Sequence, residues 1–214
     1  ERDFVYTDLY DPDDKLPKNF SFNLNGEEVG DEELEFYIIK KDDIDLNNLD
    51  INNIYPNPSS EIIDLISRSK LIDGYVYYQV SRGIDPIRSH IFDESLTTET
   101  FGYVVDHTFK SQKLKVMICE DLRWQRCDIK STSLLGNVLS MNEARNHGCD
   151  EVIMHKSNLI TEGGASNIFF ANNDTVFTPS LSNNILPGIT RELLINEIKN
   201  LGIKVVEGNF ELKE

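Results

Sequence analysis

The chain has 214 residues, 39% of them hydrophobic and 9% aromatic, with a formal net charge of −16 at pH 7. That length can bury a real core in one large domain or two small ones. The negative charge would repel nucleic acid and anionic membrane surfaces, so neither is expected as a partner.

Residues 1–60 hold 16 acidic against 5 basic side chains and are rich in Asp, Asn and Pro. Within them "EELEFYIIKK" (32–41) reads as a strand, and residues 42 to about 59 read as loop and turns. "SSEIIDLISRSK" then opens on serines, places Ile62, Ile63 and Ile66 at helical spacing and ends basic, which predicts a helix. "GYVYYQVSRG" (74–83) is β-branched and aromatic between glycines, and "KLKVMICEDLRW" (113–124) is similar; both predict strands.

"STSLLGNVLSMNEARNHG" (131–148) predicts a helix. Leu134, Leu135, Val138, Leu139 and Met141 or Ala144 share its apolar face, a serine or threonine caps its start, and Gly148 ends it. "DEVIMH", "NIFFAN" and "TVFTPS" are short strands, the last two joined at Asn173-Asp174. "PGITRELLINEIKNLG" (187–202) is a further helix stopped by Gly202, and "IKVVEG" begins one more strand. The class is mixed α and β, with antiparallel hairpins expected rather than a doubly wound sheet.

Cys119, Cys127 and Cys149 form no Cys-x-x-Cys spacing and read as reduced, buried thiols of a cytoplasmic protein. The four histidines match no zinc pattern, so no metal is expected. No signal peptide is expected, and no apolar run in the sequence is long enough to span a bilayer.

Chemistry concentrates in three places. If 122–130 is extended, alternation puts Trp124, Arg126, Asp128 and Lys130 on one face. A neighbouring cation and partial burial both favour a neutral, nucleophilic lysine, although alone the pattern fits a solvated strand face better. In "ITEGGASNIFF" (160–170), Gly-Gly lets backbone approach a ligand, and Glu162 could pair with a protonated ring nitrogen; a plain turn is the simpler alternative. "LPGIT" (186–190) leads into a helix whose free N–H groups at Ile189 and Thr190 suit a phosphate, or simply form an ordinary helix start.

An amine, a carboxylate for a ring nitrogen and a helix terminus for a phosphate are what pyridoxal 5'-phosphate needs from a protein. "RCDIKSTSLLGNVLSMNEA", "ITEGGASNIFF" and "ILPGITRELL", in that order, resemble the class IV (fold type IV) pyridoxal-phosphate aminotransferases over residues 60–214. The resemblance implies that Lys130 is the catalytic lysine, forming a Schiff base with the cofactor and shuttling the substrate proton. It implies that Glu162 keeps the pyridine nitrogen protonated, Leu186 lies under the ring, and Gly188, Ile189 and Thr190 belong to the phosphate cup.

In "YYQVSRGIDPIRSHIF", Arg88 and His90 resemble the Arg-x-His pair with which D-amino-acid aminotransferases hold the substrate carboxylate across a homodimer interface. The implied reaction moves an amino group from a D-amino acid such as D-alanine to a 2-oxo acid such as 2-oxoglutarate. The alternatives are a branched-chain aminotransferase, an aminodeoxychorismate lyase or a catalytically inactive homologue.

Two departures qualify the likeness. Residues 1–60 show no "GDGVYE"-like segment and no recognisable phosphate-gripping arginine, and the chain stops where the family continues. The expected fold is therefore α+β, a class IV aminotransferase-like two-lobe fold with an atypical or incomplete N-terminal lobe and a truncated C-terminal end. Residues 1–112 form the N-terminal lobe in this reading (1–60 atypical and acidic), and 113–214 the cofactor-binding lobe.

Overall fold

A computed structural model describes residues 59–91, 93–108, 112–172 and 174–212, together with the backbone of four front strands at 7–10, 21–24, 27–30 and 35–37. These strands are β1 (Thr7–Tyr10), β2 (Ser21–Leu24), β3 (Glu27–Gly30) and β4 (Glu35–Tyr37). The expected strand at 32–41 is thus described only over β4, and the loop expected at 42–58 lies outside the described residues.

The chain forms two compact units, residues 45–110 and residues 1–44 with 111–214. The smaller contains α1 (Ser59–Ser69) and the hairpin of β5 (Gly74–Ser81) with β6 (Glu99–Asp106), paired antiparallel along its full length. Glu61 near the start of α1 and Arg68 near its end suit the helix dipole. The β6 strand has no counterpart in the sequence reading. Its solvent face carries Phe101 and Tyr103, with Tyr103 stacked on Tyr77 of β5 at 5.1 Å between ring centroids.

In the larger unit, β7 (Leu114–Glu120), β8 (Glu151–Lys156) and β9 (Leu159–Gly163) join β1 in the order β1-β7-β8-β9. A second sheet runs β12-β11-β10-β4, with β10 (Phe169–Asn172), β11 (Thr175–Pro179) and β12 (Lys204–Gly208). The strands β2 and β3 form a separate antiparallel pair. Front strands therefore join the sheets of 111–214, whereas the sequence reading grouped the whole front with residues up to 112.

Antiparallel hairpins were expected, and β8–β9 and β10–β11 are such pairs, but β1–β7, β7–β8 and β11–β12 run parallel. A parallel neighbour needs a crossover. The helices α2 (Leu135–Asn146) and α3 (Ile189–Asn200) supply it for the β7–β8 and β11–β12 pairs. Each ends near a glycine with positive φ, Gly148 at 70° and Gly202 at 77°.

The β7 strand shows why Val116, Met117, Ile118 and Cys119 are apolar in succession. Leu114, Val116 and Ile118 enter a core with Ile153, Ile168, Phe170, Phe177 and Phe210, while Met117 packs on the other face with Val152, Met154 and Ala144 of α2. A strand covered on both faces needs apolar residues at consecutive positions. Truncating Phe170, 1% exposed and edge-on to Phe210, would cost about 3–5 kcal/mol.

The serine or threonine cap expected at the start of α2 is not formed, while Gly148 does end it. Its N-cap is Leu134, which has no polar side-chain atom to cap with, and the Leu134 N–H meets the Thr132 carbonyl at 2.9 Å. Leu134, Leu135, Val138 and Leu139 are exposed, and Ala144 is the buried residue of the helix.

Candidate functional site

The site is built on three segments that leave the ends of strands: 121–130 after β7, 162–167 at the end of β9, and 180–190 between β11 and α3. The first would continue as a strand if 122–130 were extended. It does not, because its polar groups bond locally and to the 180s loop instead of to a neighbouring strand. The Asp121 N–H donates to the His155 carbonyl at 2.6 Å, ending the β7 pairing, and Asp121 Oδ1 accepts the Arg123 N–H at 3.1 Å in a tight turn. Further on, the Cys127 N–H donates to the Asn183 carbonyl at 2.8 Å, and its thiol donates to the Trp124 carbonyl at 3.1 Å.

The shared face of Trp124, Arg126, Asp128 and Lys130 is therefore not formed as an alternating strand face. Arg126 pairs with Asp128 through two bonds of 2.9 and 3.0 Å, so its charge is compensated where the sequence reading had it acting on the lysine. Lys130 is exposed, and no hydrogen bond or ion pair engages its amine among the described residues.

Glu162 is the centre of the arrangement. It is 5% exposed, and three donors meet its carboxylate. Arg123 Nη1 donates to Oε1 at 2.5 Å; the Leu186 N–H and the Asn167 amide donate to Oε2 at 2.9 and 3.2 Å. Arg123 is held in turn by Asp121, which accepts its Nε at 2.9 Å and Nη2 at 2.7 Å, while Nη2 also reaches the Asn184 carbonyl at 3.0 Å. The Thr161 hydroxyl completes Asp121 at 2.9 Å.

Burial pushes the Glu162 carboxyl above its ordinary value, against the pull of the Arg123 guanidinium and the Leu186 N–H. Burial also pushes Asp121 up, but there the bonds and charge of Arg123 prevail, and its carboxyl sits below the usual range. Arg123 itself is desolvated, yet its two carboxylates hold it firmly in the charged form.

The two glycines after Glu162 serve packing within the chain. A Cβ on Gly164 would strike the Met141 side chain of α2, and one on Gly163 would strike the Ser166 hydroxyl. Between them, Glu151 accepts the Gly164 N–H at 2.9 Å and the Ser166 hydroxyl at 3.2 Å, and Asn137 of α2 donates to the Gly164 carbonyl at 2.8 Å. The close approach that these glycines allow is thus to neighbouring protein groups.

Leu186, half-buried, precedes the helix start. Gly188 is the N-cap of α3 and makes no side-chain capping bond, so no side chain of its own shields the N–H groups of Ile189 and Thr190. A Cβ on Gly188 would meet the Asn167 side chain, whose amide donates to the Leu186 carbonyl at 3.0 Å. Arg191, 5% exposed, ties the first turn to the sheet through the Pro179 carbonyl at 2.9 Å and Glu207 at 2.7 Å.

The structure thus brings together Glu162, Leu186 and Gly188, with Ile189 and Thr190 following in α3, and places Lys130 on the loop that carries Arg123. Arg88 and His90 belong to the other unit, exposed on the irregular segment between β5 and β6. Sequence reasoning missed Asp121, Arg123 and Asn167. An acid and a base two positions apart at the end of an apolar strand, in "CEDLRW", were the available signal.

Residues 49–214 match the model of the amino-transferase class IV family. The chain belongs to the class IV aminotransferases. The cofactor of that family is pyridoxal 5'-phosphate. A D-alanine aminotransferase of Listeria monocytogenes is 34% identical over 156 residues, 70% of this chain and 54% of the relative. The chain spans about half the length of the curated relatives it matches.

Among solved structures, a Legionella pneumophila protein provisionally named 4-amino-4-deoxychorismate lyase matches with a TM-score of 0.65 at 21% identity, over 73% of this chain and 59% of that one. The branched-chain aminotransferase of Thermoproteus uzoniensis matches with a TM-score of 0.63 at 20% identity, over 89% and 78%. These likenesses show the α+β fold of the fold type IV enzymes. Among the described residues no helix is long and apolar enough to cross a membrane, and no cluster of His, Cys, Asp and Glu is placed to hold a metal ion.

Proposed function

We propose that the protein to which this chain belongs is a cytoplasmic, homodimeric, pyridoxal-phosphate-dependent aminotransferase acting on D-amino acids. It would take the amino group of a D-amino acid such as D-alanine and pass it to a 2-oxo acid such as 2-oxoglutarate. The observation that carries the reading is the buried Glu162 carboxylate, bonded to the Leu186 N–H at the entrance to α3. The relatives named D-alanine aminotransferase support the choice of substrate.

The residues present fit the cofactor. Glu162 has lone-pair capacity beyond its three donors. Lys130 has an unengaged amine, and the first turn of α3 has no side-chain cap. Bound there, pyridoxal phosphate would supply an electron sink for the carbanion left when the substrate loses its α-proton. The cofactor-binding lobe in this proposal is 113–214.

In this proposal Lys130 anchors the cofactor covalently and then, once released, carries the α-proton. Glu162, kept ionised by Arg123, holds a proton on the ring nitrogen. Leu186 presents an apolar surface to the ring, and Gly188, Ile189 and Thr190 offer N–H groups and a hydroxyl to the phosphate. Arg88 and His90 grip the substrate carboxylate from the neighbouring subunit, a task suited to a guanidinium fork.

The test is borohydride reduction of the chain mixed with pyridoxal phosphate, followed by peptide mapping and an amino-donor screen. A pyridoxyl label on Lys130, absent from Lys130→Ala, with turnover of D-alanine, is the expected result. Glu162→Gln should keep the label and slow turnover by about 10²-fold, since a neutral partner no longer favours the protonated ring. Activity on L-leucine instead of D-alanine would reassign the substrate, and no label on a folded chain would sink the proposal.

A further inference from the structure

The sequence reading assigned Glu162 a role but offered nothing that would keep a buried carboxylate ionised or aimed. We infer that Arg123, clamped by Asp121, is the positioning residue that fixes the orientation of Glu162 and preserves its charge within the chain itself. This rests on the reading of Glu162 as the group facing the cofactor ring.

The geometry leaves the guanidinium almost no freedom. The side chains of Asp121, Arg123 and Glu162 are 2%, 5% and 7% exposed. Asp121 takes Nε and Nη2 as a fork, the Asn184 carbonyl takes Nη2 from another side, and only Nη1 remains to face Glu162. A planar fork held on one edge aims its opposite edge. Glu162 is then fixed from both sides, by Nη1 on Oε1 and by Leu186 and Asn167 on Oε2.

The charges make the same point. Asp121 and Glu162 are two carboxylates on one guanidinium, away from water. Without the cation, two buried carboxylates sharing a site cannot both remain ionised, and one takes up a proton. Burial already favours the protonated form of Glu162, and Arg123 opposes it most strongly. Of the other titratable groups, Cys127 on the same loop feels both Glu162 and Lys156, and Glu151 of β8 is turned to the Gly164 N–H. Arg123 is the cation bonded to Glu162.

The experiment uses the whole chain without cofactor, so failure of the aminotransferase reading would not disturb it. The Glu162 carboxyl carbon is titrated by NMR, assigned by its loss in Glu162→Gln, and hydrogen exchange at the Leu186 N–H reports where the carboxylate points. Arg123→Gln should raise the Glu162 pKa by about one unit or more and speed Leu186 exchange. Arg123→Lys, which keeps the charge but not the fork, should leave the titration near that of the parent and still speed Leu186 exchange.

An unchanged titration in a folded Arg123→Gln, or unchanged Leu186 exchange in Arg123→Lys, would overturn the inference. If Arg123→Gln does not fold, the Leu186 exchange rate in Arg123→Lys decides alone. The parent chain gives a variant-free check: the clamped guanidinium should show separate, slowly exchanging Nη1 and Nη2 signals, and fast averaging of the two would also overturn it.

Discussion

Asn167 and Gly188 interlock: the Asn167 side chain occupies the space where a Cβ of Gly188 would stand, and from there its amide reaches both the Leu186 carbonyl and Glu162. The end of β9 and the entrance to α3 are thereby one bonded unit. Asn167→Leu would remove the donor from two acceptors and press a branched side chain on Gly188. It should destabilise the chain by about 1–3 kcal/mol in urea denaturation. Asn167→Asp should do similar damage, since it sets a second carboxylate against Glu162.

Gly164 is held to zero side chain by Met141 of α2. Gly164→Ala should cost about 1–3 kcal/mol by overpacking. Met141→Ala, which opens the space, should recover part of that loss. A double-mutant cycle measures the coupling; strict additivity of the two changes would show that Met141 is not what the methyl group meets.

Acid should act on the ion network in two opposing ways. Asp121 has its folded pKa below the unfolded value, so it contributes stability above the unfolded pKa that is lost as pH falls through the folded one. Glu162 has its folded pKa above the unfolded value, so its contribution is fully present below the unfolded pKa and is lost as pH rises through the folded one. Relative to the parent, Asp121→Asn should flatten the acid limb of a stability–pH curve. Glu162→Gln should remove the gain seen on acidifying toward the ordinary carboxylate range. Urea denaturation at a series of pH values separates the two.

The three thiols should be slow to react while the chain is folded. Burial pushes Cys119 up to about 11, with Ser140 pulling the other way, and burial also raises Cys127 and Cys149. The thiolate is the nucleophile, so little of it is available at neutral pH. An aromatic disulfide reagent should label these sites rapidly only after denaturation. Fast labelling of Cys127 in the folded chain would mean that its bond to the Trp124 carbonyl does not hold the loop closed.

Local pattern made much of this fold legible. Helical spacing in "EIIDLI" and the glycine after "EIKNL" locate α1 and the end of α3, and the apolar run Val116–Cys119 marks β7. The reading failed where tertiary partners overrule alternation. Arg126, Asp128 and Lys130 stand at every second position, yet Cys127 bonds to Asn183 and Arg123 to Glu162, groups distant in sequence, and no strand forms. Glu162 stood out by its place before two glycines. Arg123 and Asn167 did not, because their roles exist only after the three segments meet. The glycines themselves were read toward a ligand, whereas their neighbours are Met141 and Ser166.

Residues 180–188 grip their surroundings almost wholly through backbone. The Asn183 carbonyl holds Cys127, the Asn184 carbonyl holds Arg123, and the Leu186 N–H and carbonyl hold Glu162 and Asn167. Apart from the buried Ile185 and the crowded Gly188, such a segment is constrained in length more than in spelling. The exposed side chain of Leu181 can be exchanged at little cost, whereas deleting a single residue would throw the grips on two other segments out of step at once. A recoding effort aimed at this rim therefore has its widest choice of letters at Leu181, little at Ser182, Ile185 and Gly188, and none of count.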